Sequence, residues 1–261
     1  MTTIFVPSDT KNRYKMIIAY NGKNYHGSQI QAASKTTNGN IPNTIQSELE
    51  KTLSTLTNKK IKVIFSGRTD KGVHAKGQVV HFDILGELNV ERFLNALNGN
   101  LPEDISVSEL SLTDNHFHAQ KSAKSRWYRY TIVNRFQRDV WDGHSLHVRE
   151  KLDIERMNKC LSYLIGEHDF SSFKSAQTNN PAKICKMYKA CCVASNEFIY
   201  VDFIADRFLY NMIRTIIGTL LMIEHNSYNP TKMKEILELK DRKYAGKTVD
   251  PDGLMLMEIK Y

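Results

Sequence analysis

The sequence predicts an α+β fold built from two similar halves, each an antiparallel sheet with helices on one face. Three observations predict it. An order of strand, helix, strand, strand, helix is legible twice along the chain. Runs rich in β-branched and aromatic residues alternate with stretches whose apolar residues fall at helical spacing, the two periods that sheets and helices require. No low-complexity or proline-rich linker interrupts the chain, so its 261 residues suit one large domain or two small ones sharing a core. The halves are expected to divide near residue 115, as 1–115 and 116–261.

The elements follow in order. RYKMIIAY (13–20) reads as a strand closed by the turn Asn21-Gly22. AASKTTNGNIPN (32–43) is polar and reads as an exposed loop. Ile45, Leu49, Leu53 and Leu56 fall at helical spacing behind Thr44, predicting a helix over 45–56 with Thr44 as its cap. The β-rich runs 61–65 and 78–84 flank SGRTDKGVHAKG, and Asn89 caps a helix through Leu97 before the turn Leu101-Pro102. In the second half, residues 127–133 read as a strand, and Asp153 caps a helix over 154–165 stopped by Gly166. Residues 186–194 and 198–204 pair as strands around Ser195-Asn196, and 209–223 form an apolar helix. Identity between the halves is weak, so the duplication rests on the pattern of elements.

Composition narrows the function. With 41% hydrophobic and 25% charged residues the chain is globular rather than disordered. The most apolar stretch, 208–223, has about 16 residues where roughly 20 are needed to span a bilayer, and Arg214 sits inside it. MTTIFVPSDTK lacks the basic and apolar regions of a secretory signal. Four cysteines (Cys160, Cys185, Cys191, Cys192) form no CxxC pair, which suits reduced thiols in a cytoplasmic protein.

A net charge of +8 and a pI near 9.2 favour an anionic partner. Lys121, Lys124, Arg126, Arg129, Arg135 and Arg138 lie in a stretch free of acids, interleaved with Trp127, Tyr128, Tyr130 and Phe136. Cations neutralise phosphates and rings stack on unpaired bases for about 1–3 kcal/mol each, so the run suits an RNA groove. It suits equally a solvated strand whose aromatics belong to the core.

SGRTDKGVHA (66–75) is the most informative stretch for chemistry. Gly67 and Gly72 bracket Arg68, Thr69, Asp70 and Lys71 between two strong strands, where a short turn would suffice. Flanking cations would hold Asp70 ionised and fit to act as nucleophile or base. An exposed surface aspartate satisfied by its neighbours is the plainer alternative. Paired histidines (His74 and His81, His116 and His118, His144 and His147) could suggest a metal, and HFH in a strand would place two imidazoles on one face. No HExxH or completing ligand accompanies them, so satisfied structural histidines are expected and no metal. GxGxxG, GxxxxGK[ST] and GxSxG are absent, and no cofactor is expected.

GRTDKGVHAKGQVVHF (67–82) closely resembles the active-site signature of the TruA family of tRNA pseudouridine synthases. AYNGKNYHGSQIQ (19–31), FLNALNGNLPEDISV (93–107), FHAQKSAKSRWYRYTI (117–132), GEHDFSSF (166–173), RFLYNMIRTIIGTLL (207–221) and DPDGLML (250–256) resemble the family's other blocks, in order. The resemblance implies a pseudouridine synthase fold of ferredoxin-like repeats with the active-site cleft between them. It also implies a homodimer, a cofactor-free isomerisation, and uridine targets in the anticodon arm of tRNA. By position it makes Asp70 the catalytic aspartate and Arg68 the arginine that handles the flipped nucleotide. Tyr128 becomes the tyrosine packed on the base, Arg214 the partner of the catalytic carboxylate, and Leu254 an apolar wall of the uracil pocket. Lys121, Lys124, Arg126 and Arg129 would then supply phosphate contacts.

Three departures stand out. Ser28 replaces the family's usual tryptophan in Gly-Trp-Gln, Lys71 stands where a small residue is usual, and the 32–43 loop is longer. They leave room for a rival, the same chemistry on another RNA; a catalytically idle RNA-binding module is a second rival, against which intact Asp70, Tyr128 and Arg214 argue. A metal-dependent hydrolase is a distant third.

Overall fold

The computed structural model describes residues 3–31, 42–138, 140, 143–175 and 183–261. The expected 32–43 loop lies outside these residues except for Pro42 and Asn43. The chain forms two compact units, residues 1–124 with 256–261, and residues 125–255.

The first unit runs β1 (Phe5–Tyr20), α1 (Ile45–Thr57), β2 (Val63–Phe65), β3 (His74–Leu88), α2 (Val90–Asn100) and β4 (Ile105–Thr113). β3 lies between β2 and β1, and β1 between β3 and β4, with every one of these pairings antiparallel. β3 is buried on both faces from Gln78 to Phe82, whereas in β1 alternate residues Tyr14, Met16, Ile18 and Tyr20 are buried. The alternation in β1 is the pattern of a strand with one covered face. Ile45, Leu49 and Leu53 of α1 and Phe93 and Leu97 of α2 are fully buried. Tyr14 stacks on its cross-strand partner Phe82 at 5.7 Å. The β1–β3 register shifts between Ile18 and Tyr20, an irregularity that re-aims the end of β1.

The second unit repeats the plan with additions: β5 (Ser125–Asn134), β6 (Leu146–Val148), α3 (Ile154–Ser162), β7 (Gly166–Asp169), β8 (Ile184–Ser195), β9 (Phe198–Ala205), α4 (Met212–His225) and α5 (Thr231–Leu239). β9 lies between β5 and β8, as β3 lies between β1 and β2 in the first unit. The repeat read from the sequence is therefore present in the pairing as well as in the order of elements. β7 adds to β8 antiparallel and β6 to β5 parallel. The last strand, β10 (Leu254–Lys260), counts with the second unit over 254–255 and with the first from 256 onward.

Several boundaries differ from the sequence reading. α3 stops at Ser162, three residues early, where Leu164 and Ile165 bond back to Leu161 and Ser162 before Gly166 at φ +114°. α4 begins at Met212 because Asn211 takes a left-handed conformation at φ +62°; only from there do amides bond back helically, as Thr215 does to Asn211. The HFH triplet is no strand. It lies in a turn after β4, with the Phe117 amide on Asp114 O and His118 Nδ1 accepting from the amides of Gln120 and Lys121. β4, β6, β7, α5 and β10 were not foreseen; of these, β6 and β7, with three and four residues, are too short to show a period.

Candidate active site

The loop joining β2 to β3 carries Arg68 and Asp70, and its shape follows from its sequence. The Ser66 amide donates to Val79 O at 2.9 Å, which keeps the loop's entry on the β3 ladder. Residues 70–73 then make a turn closed by the Val73 amide on Asp70 O at 3.1 Å, with Gly72 third at φ +80°. A β-turn of that kind demands glycine at this position. Asp70 is half-buried, while Arg68 and Lys71 are exposed.

Beneath the loop lies a buried polar network. The Thr69 amide donates to Ser28 Oγ at 2.9 Å, and the Ser28 amide donates to Thr69 O at 3.1 Å. Tyr20 and Thr69 share a hydroxyl–hydroxyl bond of 2.8 Å. Gln78 Nε2 donates to Gly67 O at 3.0 Å, and its Oε1 accepts from Ser66 Oγ and from the Val79 amide. Tyr20, Ser28, Ser66, Thr69 and Gln78 are all buried. Burial pushes the Tyr20 phenol up to about 12, so it remains a neutral hydroxyl at working pH. Arg68 Nε donates to Gln29 Oε1. At Gly27 a Cβ would lie 2.8 Å from Thr69 O, so only glycine lets the two segments meet. A satisfied network of this kind holds a backbone in one geometry.

In the second unit the structure gathers Arg214, Leu254 and the neighbour of Tyr128 around one segment. Arg214, in the first turn of α4, donates through Nε to Val249 O at 2.7 Å and through Nη1 to Asn211 Oδ1 at 3.1 Å. Tyr130 donates its hydroxyl to Asp250 O at 2.7 Å. A Cβ on Gly253 would lie 2.6 Å from Thr131 O, and the Thr131 amide donates to Gly253 O. The DPDGL segment is thus tied to both β5 and α4, with Leu254 buried at its end. Tyr128 is half-buried and meets Phe208 edge-on at 5.2 Å.

Among the expected phosphate contacts, Lys121 and Lys124 are exposed, and Arg126 Nη1 donates to Asp206 O at 2.6 Å. Arg129 has another engagement. Neighbouring strand residues point to opposite faces, so it lies on the face away from Tyr128. There it forms a two-pronged pair with Asp202, both bonds 2.9 Å, and lies over Tyr200 and Trp127. Burial would push Asp202 up, but hydrogen bonds from Arg129 and Trp127 outweigh it and hold the carboxyl below its usual value. Burial raises the Cys160 thiol to about 11 and those of Cys185 and Cys192 to about 12, which makes them poor nucleophiles. Among the described residues no three His, Cys, Asp or Glu side chains converge in a way that could hold a metal ion. None of their helices is long and apolar enough to cross a membrane.

A family model described as tRNA pseudouridine synthase matches residues 16–120 and 161–261, which include Arg68, Asp70, Arg214 and Leu254. The chain belongs to this family. Relatives named tRNA pseudouridine synthase A support the membership along almost the whole length. The protein of Exiguobacterium sp. is 40% identical over 250 residues, covering 95% of this chain and 98% of its own. That of Ehrlichia canis is 39% identical over 251 residues, 95% and 100%. That of Bacillus subtilis is 38% identical over 252 residues, 95% and 99%. The chain is accordingly an isomerase with a pseudouridine synthase fold.

What the sequence reading of this synthase missed is the support beneath the Asp70 loop. Ser28 stood out there only as a departure, and Tyr20, Thr69 and Gln78 had no assigned part. The available signal was weak: polar side chains, Tyr20 in AYNG and Gln78 in GQVVHF, inside otherwise apolar or glycine-bearing stretches, where a buried polar group must find partners.

Proposed function

We propose that the chain converts uridine to pseudouridine in the anticodon stem-loop of tRNA, at the thirty-eighth to fortieth positions, with Asp70 as its catalytic carboxylate. The observation that carries this reading is the geometry of the Asp70 loop. A half-buried carboxylate is presented on a glycine-dependent turn, over a buried network that bonds the loop backbone on both sides of Arg68. Electrostatic and nucleophilic catalysis both need a charged group held in place before the substrate arrives.

The reaction breaks the N1–C1′ bond, turns the uracil and joins C5 to C1′, with the C5 proton lost and N1 protonated. Composition is unchanged, so neither an oxidant nor an external energy source enters the balance. A carboxylate can serve by attacking C1′, by adding to the base, or by taking the C2′ proton. The target must leave its stack, which costs a few kcal/mol and least in a loop or at a stem end. Arg68 is assigned to the flipped nucleotide, Tyr128 to the uracil face, Arg214 to the catalytic carboxylate and Leu254 to the wall of the uracil pocket. Lys121, Lys124 and Arg126 are assigned to the phosphate backbone. Action as a homodimer and a cytoplasmic location complete the reading.

The test is site-resolved mapping of pseudouridine in unmodified tRNA transcripts, with no metal or nucleotide added. Wild-type protein is expected to modify the anticodon arm, and Asp70→Asn to bind the same tRNA but form no product. Product elsewhere would keep the chemistry and move the target. Substantial product from Asp70→Asn would remove Asp70 from the catalytic role.

A further inference from the structure

We infer that Ser28 is a positioning residue for the pseudouridylation step, setting the orientation of the peptide that carries Asp70. The inference rests on the reading of Asp70 as the catalytic carboxylate.

Two bonds join Ser28 to Thr69, and they use both backbone groups of Thr69. Ser28 Oγ accepts the Thr69 amide at 2.9 Å, and the Ser28 amide donates to Thr69 O at 3.1 Å. Thr69 O belongs to the peptide plane whose nitrogen is that of Asp70. Holding that oxygen therefore fixes the plane on the N-terminal side of the catalytic residue. Ser28 is itself anchored, since its own carbonyl accepts the Gln46 amide in the first turn of α1 at 2.9 Å. A rigid helix end thus reaches the Asp70 loop through a single residue.

The hydroxyl is the part of Ser28 that a substitution can remove. Ser28 is fully buried and Thr69 nearly so. Without Oγ the Thr69 amide would lose its acceptor inside the protein, and a buried donor does not stay unsatisfied. With the Ser28 amide's bond to Thr69 O left as the only tie between the two residues, the Gly67–Thr69 backbone would pivot about it to find another partner for the Thr69 amide and shift the Asp70 carboxylate. Neighbouring contacts would keep the loop folded: Gln78 still holds Gly67 O, and Tyr20 still holds the Thr69 hydroxyl. Loss of Oγ should therefore misplace the carboxylate without unfolding the unit. Ser28 cannot itself meet the base, because it is covered; its action is through Thr69 and Asp70.

The experiment measures single-turnover pseudouridine formation at saturating unmodified tRNA transcript, tRNA affinity by filter binding, and thermal melting. The proteins are wild type, Ser28→Ala, Ser28→Gly and Asp70→Asn. For Ser28→Ala the chemical step is expected to slow about 10- to 100-fold while tRNA affinity stays within about twofold, the pattern of a misplaced reacting group. A wild-type rate in folded Ser28→Ala overturns the inference. So does a rate loss matched by lost affinity, which would place Ser28 in binding. If Ser28→Ala does not fold, Ser28→Gly carries the same comparison, and failure of both to fold would make the residue structural and overturn the inference too. Activity in Asp70→Asn would show that the underlying reading has failed, independently of what the Ser28 variants do.

Discussion

His81 is fully buried on β3, where its Nδ1 accepts the Ala119 amide at 3.2 Å and its ring lies 5.1 Å from that of His118. Burial, with the nearby Arg13 and His118, lowers its pKa from 6.5 to about 4. The sign follows from linkage. Between pH 6.5 and about 4 the unfolded chain's imidazole binds a proton that the folded one refuses. Stability is therefore full above pH 6.5 and falls steadily as pH drops toward 4. His81→Gln should flatten this limb in a series of urea midpoints against pH; an equally steep limb would assign the loss to another group. Arg129 shows the same dependence of role on surroundings. In the sequence it is one cation of a basic run, yet in the fold it neutralises Asp202 between two aromatic rings. Asp70 was legible as a candidate because glycines and cations frame it. Ser28 was not, because a hydroxyl's value depends on which buried amide it meets, and Thr69 lies 41 residues away.

The elements that the sequence reading recovered are those with a complete local signature. Thr44 caps α1 by accepting the Ser47 amide at 3.2 Å, while Ser47 Oγ accepts the Thr44 amide at 3.0 Å. Asn89 and Asp153 cap α2 and α3 in the same way, each accepting an amide three residues on. Thr44→Ala should cost about 1 kcal/mol in chemical denaturation, since the Ser47 end amide loses its side-chain acceptor. A change below about 0.3 kcal/mol would mean that water replaces the cap without loss. Elements that were missed are held by contacts between distant segments. α5 is short and buries Met233, Ile236 and Leu237 only against other elements of its unit. Even α4, which the apolar run 209–223 announces, owes its seat to a distant contact at Gly218, where a Cβ would lie 1.7 Å from Lys247 O. No periodicity announces a helix and a distant loop meeting backbone to backbone.

A net charge of +8 predicts that tRNA affinity falls steeply with salt, because each phosphate contact releases counterions. Lys121→Ala and Lys124→Ala should each lessen the slope of log affinity against log salt by about 1. Arg129→Ala should instead lower the melting midpoint and leave that slope nearly intact, since its charge already serves Asp202. An unchanged slope in both lysine variants, or a large change in Arg129→Ala, would reverse these assignments. The α+β class, the repeated order of elements, the caps of α1, α2 and α3, the family and the candidate carboxylate are legible without any coordinates. All of these are written in local periodicity or in contiguous motifs, and local rules act over a few residues. The pairing of Arg129, the turn that holds His116 and His118, and the support that Tyr20, Ser28 and Gln78 give the Asp70 loop emerge only in the folded chain. Hydrogen bonds and ion pairs between segments dozens of residues apart form when folding brings them together, and burial then sets what each polar group must do.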